Sequence, residues 1–432
     1  MGIWKGRPDL RKINSRYAYY PIAEIAVAVA LLYLSPFVSP LLVFGTFAIC
    51  LYRIVMYDAK VFAVDYVILI PISSLFRYQG MSLLIFLCLI AAVWYFFTDE
   101  LTKEPAYAVL LVLMNYLLWR MLWNISGMVL CFGQLAFLCV MLPKQDRASA
   151  NTAVKLFCIS LLVSSAYGLL LRNTSQIYAV RGPESPALWG TALTRFQGLF
   201  ADPNYYMVML ITAMALLLKL LDCGMIKRVY VLLLGACFCY FGLLTYSKTF
   251  FLSLLVMALL GIFWLFKNRK YLPGVALLVG GSLLLWFLAE TNDTVSVILL
   301  RITSATSLDE LTTGRSELLV DYYNAITQNL KTTLFGVGLA AQNLGKDPHN
   351  LYLEIAYRLG VVGLVLFVCL CVALIYSIKQ KNKGRKNHWL SKYIVLIMVL
   401  MLHLSLHGIF MIFLYAVFFL AFLSILLTKQ ET

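Results

Sequence analysis

Apolar runs broken by short polar or basic segments recur along the whole chain, and most are close to the roughly 20 residues that cross a bilayer as a helix. They predict spans near 18–34, 38–52, 61–76, 81–97, 106–123, 125–142, 154–171, 205–221, 229–246, 249–266, 271–289, 351–377, 393–406 and 409–427. The apolar stretch from Lys392 to Thr428 is too long for one span and is interrupted by Ser405, His407 and Gly408, so it reads as a hairpin; a single tilted helix is the alternative. Between the runs, only 172–204 and 290–350 gather many polar residues in one place. No fixed-period repeat is visible, and no inverted half-and-half symmetry of the kind transporters show.

Composition agrees with this pattern. Of the 432 residues, 62% are hydrophobic and 13% charged, about half the roughly 25% charged share of a soluble domain. Fourteen spans would use roughly 280 residues, leaving no room for a large extramembrane domain. The expected fold is an all-α membrane protein: a polytopic helical bundle of about 12–14 transmembrane helices, one integral membrane domain over 1–432 with two longer outer loops.

The net charge of +15 would suggest a nucleic-acid partner in a soluble chain. Here it reads as topology, and no nucleic acid is expected. Lys5, Arg7, Arg11, Lys12 and Arg16 precede the first apolar run, while Lys267 to Lys270 and Lys379 to Lys392 form basic turns. By the positive-inside rule these face the cytoplasm, as do both termini, which leaves 172–204 and 290–350 outside. The N-terminus lacks the short apolar core and cleavage site of a signal peptide. All ten cysteines lie in or beside apolar segments, consistent with packing rather than disulfides or zinc.

The second outer loop contains Thr312-Thr313-Gly314-Arg315, followed by Leu318, Leu319, Tyr322, Tyr323, Ile326 and Leu330 at amphipathic helical spacing. Arg315 at the helix start would set a planar guanidinium beside unpaired backbone N–H groups, a combination suited to phosphate. A helix lying on the bilayer with a snorkelling arginine gives the same pattern. Further on, Asp347-Pro348-His349-Asn350-Leu351-Tyr352-Leu353-Glu354 reads as a capped helix start, with Asp347 as cap and His349 in the first turn. The helix dipole there favours a neutral imidazole able to take a proton from a hydroxyl; a polar residue at a span boundary is the plainer reading. His403 and His407 share a helix face without carboxylates, and packing suffices for them.

Glu354 and Arg358 are spaced as an ion pair within that span, and either could instead serve His349 or an anion. The first outer loop holds Arg172, Arg181 and Arg195 with Trp189, Phe196 and Phe200, and ends in RFQGLFADPN, residues 195–204. Arginine for phosphate and aromatic faces for sugars fit together, as does an ordinary interfacial loop. Ser247-Lys248-Thr249 adds a lysine at an outer turn. Inside the spans Glu24, Asp65 and Arg120 stand out as scattered charges, too few for an ion-coupled carrier.

Four segments in order carry a resemblance: Arg195 to Asn204, Ser247 to Thr249, Thr313 to Gly338 with GRSEL and LFGVGL, and His349 to Gly363 (HNLYLEIAYRLGVVG). Together they resemble the O-antigen ligase and polysaccharide polymerase family of multispanning bacterial membrane glycosyltransferases. The resemblance implies transfer of a glycan from an undecaprenyl diphosphate carrier to an acceptor hydroxyl on the outer face of the cytoplasmic membrane, without cofactor, metal or nucleotide sugar. By motif position Arg315 looks like the arginine that engages the diphosphate, His349 like the histidine that serves the acceptor hydroxyl, and Arg195 like another cation of the substrate site. Asp202, Asn204, Lys248, Asn350, Tyr352, Glu354, Arg358 and Arg181 complete the candidate substrate-binding set. The implied partners are the lipid-linked donor, a glycan acceptor and membrane lipid, with a flippase and a chain-length regulator as candidate associates.

Three activities follow from this reading. A polymerase of repeat units for capsule, exopolysaccharide or O-antigen is preferred, because the motif form is similar to such polymerases and nothing suggests a lipid-core docking domain. A ligase moving a finished glycan to lipid or protein is the alternative. A flippase would need cations along many spans, whereas they gather in the outer loops.

Overall fold

A computed structural model describes residues 21–98, 104–171 except 122–127, 184–185, 194–200, 202–267, 269, 271–304, 315–339, 344, 347–380, 389–406, 408 and 411–428. Among them are seventeen α-helices and two short antiparallel β-bridges. The first half holds α1 (Ile22–Leu34), α2 (Leu42–Met56), α3 (Ala59–Leu69), α4 (Leu83–Thr98), α5 (Pro105–Met121), α6 (Met128–Met141) and α7 (Arg147–Leu171). Next come α8 (Pro203–Asp222), α9 (Arg228–Leu243), α10 (Lys248–Lys267), α11 (Tyr271–Thr291) and α12 (Asp293–Thr303). The chain closes with α13 (Arg315–Thr327), α14 (Leu330–Phe335), α15 (Leu351–Gln380), α16 (Trp389–Leu402) and α17 (Ile412–Ser424).

The protein is an all-α polytopic membrane protein. Among the described residues α7, α8, α11 and α15 are long and apolar enough by length and composition to span a bilayer, and shorter apolar helices surround them. α3, α8 and α17 are buried on nearly every side, so they form the centre of the bundle. At the opposite extreme α11 leaves most of its surface outward and packs on α10 and α12. The run expected as one span over 61–76 is shorter: α3 ends at Leu69 and passes into a 3-10 turn containing Pro71, whose ring cannot continue an α-helix. A two-residue β-bridge, Arg77–Tyr78 (β1) with Met81–Ser82 (β2), then reverses the chain.

Two of the charges expected to be scattered are gathered. Arg53, fully buried on α2, donates two 2.8 Å hydrogen bonds to Asp65 on α3, one to the Pro21 carbonyl at 3.0 Å and one to Glu24 on α1. Tyr57 adds a 2.9 Å bond to Glu24. Arg53 lies within α2, one residue beyond the span expected over 38–52, and its guanidinium joins the first three helices. Buried charges persist when paired in this way.

The largest correction concerns the span expected over 351–377. α15 is broken at Gly360, whose φ of 68° and ψ of −176° are not helical, leaving a short arm before the glycine and a long span after it. The break orphans carbonyls on the arm, and other elements take them. Val337 N–H donates to the Tyr357 carbonyl at 2.8 Å, Gly338 N–H to that of Arg358 at 2.9 Å, and the Tyr116 hydroxyl to that of Leu359. Main chain that leaves the helix is thus satisfied within the protein.

Candidate active site

The segment 195–204 leads from a β-bridge into a central helix. Arg195 and Phe196 (β4) pair with Glu184 and Ser185 (β3). Phe196 N–H donates to the Leu244 carbonyl at 2.9 Å, while Arg195 Nε donates to that of Thr245 at 2.8 Å and its terminal nitrogen to Asn204 Oδ1 at 3.3 Å. Asp202 caps α8 by accepting the Asn204 N–H at 2.7 Å, with Pro203 in the first helical position. Lys248 begins α10 three residues after Thr245, on the turn that holds Arg195. The two segments that carry the expected cations therefore lie at the same end of the bundle.

α13 starts at Arg315, as its sequence predicts. Its buried stripe is narrower than the pattern suggested: Leu318, Tyr322 and Ile326 are buried, whereas Leu319, Tyr323 and Leu330 are exposed. The stripe packs on the short arm of α15, where the Tyr322 and Tyr357 rings meet edge to face at 4.9 Å. A helix fixed to that arm holds Arg315 in place, which the lipid-surface reading would not. The guanidinium donates to the Ser405 carbonyl at 3.3 Å. Burial pulls its pKa down from the ordinary value, opposed by the nearby Asp202 carboxylate.

His349 lies just outside the helix. Its φ is +44°, and Asn350 caps α15 instead of Asp347, with Oδ1 accepting the Leu353 N–H at 3.1 Å. The helix thus begins three residues later than expected, and the histidine precedes its cap. Leu351 N–H donates to the His403 carbonyl at 3.0 Å, so the turn between α16 and α17 receives both the segment bearing His349 and Arg315.

Other candidates have partners of their own. Tyr352 donates to the Leu400 carbonyl at 2.9 Å. Glu354 and Arg358 form the expected ion pair at 3.2 Å, and Arg358 also donates to the Leu339 carbonyl at 2.7 Å. Arg120, the remaining charge singled out within the spans, donates to the Gly336 carbonyl at 3.0 Å beside the Trp119 ring. Arg181, Thr312, Thr313 and Gly314 lie outside the described residues.

Two participants escaped the sequence. Tyr205 lies in the first turn of α8 against Phe413 of α17, with ring centroids 4.0 Å apart. Ser405 enters through its main chain, for which residue identity carries no signal.

Residues 230–368 match the O-antigen ligase family model. No curated protein and no solved structure matches the chain. The matched segment contains Lys248, Arg315, His349, Asn350, Tyr352, Glu354 and Arg358, and it supports placing this membrane protein with the O-antigen ligase and polysaccharide polymerase family.

Proposed function

We propose that the protein is a glycosyltransferase that polymerises undecaprenyl diphosphate-linked oligosaccharide repeat units on the outer face of the bacterial cytoplasmic membrane. The observation that carries this reading is the attachment of Arg315 and of the His349 segment to one turn, His403 to Ser405, next to the Asp202-capped end of α8. Arg315 and Arg195 stabilise the diphosphate as negative charge develops on it, inside a partly desolvated site where a fixed cation is most effective. His349 takes the proton of the acceptor hydroxyl. The acceptor oxygen bonds to the anomeric carbon, the bond from that carbon to the phosphate oxygen breaks, and undecaprenyl diphosphate leaves. Lys248 adds a cation from the neighbouring turn.

The test is purified protein in nanodiscs with an undecaprenyl diphosphate-linked repeat unit and no added metal, with products resolved by size. A ladder that disappears in Arg315→Ala and His349→Ala establishes the polymerase; a ladder that persists in either removes that residue's role. The ligase reading is favoured by one observation, the description of the matching family as O-antigen ligase. It requires that single units stay unjoined while a finished glycan passes to an added lipid or protein acceptor.

A further inference from the structure

We propose that Glu354 is a positioning residue that sets the Arg315 guanidinium through the turn between α16 and α17. Both carboxylate oxygens are engaged: Oε1 accepts from Arg358 Nε at 3.2 Å, and Oε2 accepts the Gly408 N–H at 2.6 Å. With its side chain 3% exposed, Glu354 has no face left for a substrate. The same arm of α15 holds the turn a second time through Leu351 N–H on the His403 carbonyl at 3.0 Å. These two attachments bracket Ser405, whose hydroxyl turns back to the Leu402 carbonyl at 2.9 Å while its own carbonyl receives Arg315.

Gly408 leaves little room for a side chain. Gly408 has φ +128°, and a Cβ there would stand 2.8 Å from Met411 Cγ. A charged hydrogen bond at Gly408 therefore fixes the height of the Ser405 carbonyl, and the carbonyl fixes the direction of the guanidinium. This turn lies beyond the matched segment 230–368, so its part in the site comes from the contacts alone.

The inference rests on Arg315 being the diphosphate ligand, and the experiment separates the two. Full-length protein in nanodiscs is titrated with radiolabelled farnesyl diphosphate, after size exclusion confirms that each variant is folded. Arg315→Ala should abolish binding. Glu354→Gln, which cannot satisfy Arg358 and Gly408 together, should weaken it about tenfold. Gly408→Ala should weaken it similarly by moving the turn while leaving the ion pair in place, and it carries the comparison if the Glu354 variant does not fold. Combined with Arg315→Lys, Glu354→Gln should cost less than it does alone, because both act on one contact. If the wild type does not bind, the diphosphate reading falls and this inference with it. If the wild type binds, Arg315→Ala does not, and the folded Glu354 and Gly408 variants bind as the wild type does, the inference alone is overturned.

Discussion

Gly336 and Gly360 meet backbone to backbone. A Cβ on Gly360 would stand 2.3 Å from the Leu334 carbonyl oxygen, and one on Gly336 2.5 Å from the carbonyl of Arg358. Both glycines have positive φ, 70° at Gly336 and 68° at Gly360. This contact lets the segment after α14 lie against the break in α15 and cover its carbonyls, so the short arm carrying Glu354 and Arg358 depends on it.

Gly360→Ala should accordingly be among the most damaging small substitutions in the chain. Left-handed backbone at a residue with a side chain costs about 1–3 kcal/mol, and the clash is with main chain that has no rotamer to change. A large loss of thermal stability in detergent is expected, and Gly363→Ala should be damaging as well, because a Cβ there would stand 2.2 Å from Leu359 Cβ, an atom fixed by the main chain. Equal stability of Gly360→Ala and wild type would mean the helix can run straight through.

At the other end of the chain, Arg53→Met should be worse than removing the whole pair. The single change strands the Asp65 carboxylate in a fully buried position, a loss of about 3–5 kcal/mol for broken buried pairs. Arg53→Met combined with Asp65→Leu replaces both charges by apolar groups and should recover much of the thermal stability. If the double variant melts no higher than the single one, the pair is not the source of the effect.

The sequence made the bundle legible because apolar runs of spanning length have few alternative explanations. It also located Arg315 at a helix start, since the amphipathic spacing begins there. It did not show which half of that amphipathic face would be buried, because Leu318 and Leu319 are chemically alike and only the partner surface separates them. Gly360 lies inside the run expected as one span over 351–377; the break there depends on Gly336, 24 residues earlier, and no local pattern links them. Arg53 lies one residue beyond the span expected over 38–52, yet it is buried in α2, where Glu24, Asp65 and the Pro21 carbonyl offset the cost of burying it. Main-chain acceptors such as Ser405 leave no trace in residue type at all.

Stability should also show a small acid-side dependence from the loop before α7. Burial pushes the Asp146 carboxyl up, but hydrogen bonds from Lys60 and Ser149 outweigh this and leave its pKa below the ordinary value. A folded pKa below the unfolded one gives stabilisation that is present above the unfolded value, near pH 4, and lost as pH falls through the folded one. Both side chains are nearly half exposed, 44% for Lys60 and 46% for Asp146, so the contribution is within about 1 kcal/mol. The difference in melting temperature between wild type and Asp146→Asn should shrink from pH 6 towards pH 3, roughly the range in which carboxylates titrate. A difference that stays constant over that range would place the effect elsewhere.

The helix cap at Asp202 separates structure from charge. Asp202→Asn keeps a side-chain oxygen for the Asn204 N–H, whereas Asp202→Ala removes it; a lost cap typically costs about 1 kcal/mol. Thermal stability should therefore fall for the alanine variant and hold for the asparagine one. Because the Asp202 charge acts on Arg315, the asparagine variant should bind farnesyl diphosphate no more weakly than the wild type. Weaker binding would show that the carboxylate orients the arginine as well as offsetting its charge.

His349 offers the cleanest separation of fold from chemistry, because its φ of +44° is tolerated by few side chains. Histidine and asparagine both enter the left-handed region more readily than other residues with a Cβ, and β-branched residues resist it. His349→Asn should thus melt with the wild type, and His349→Val should melt lower. If the imidazole is the base for the acceptor hydroxyl, His349→Asn loses roughly 100- to 10,000-fold in bond formation while still binding farnesyl diphosphate, since the diphosphate is held by Arg315. Loss of binding along with activity would instead place His349 on the donor side of the reaction. Activity close to wild type would remove it from the proton transfer and leave it only a turn residue.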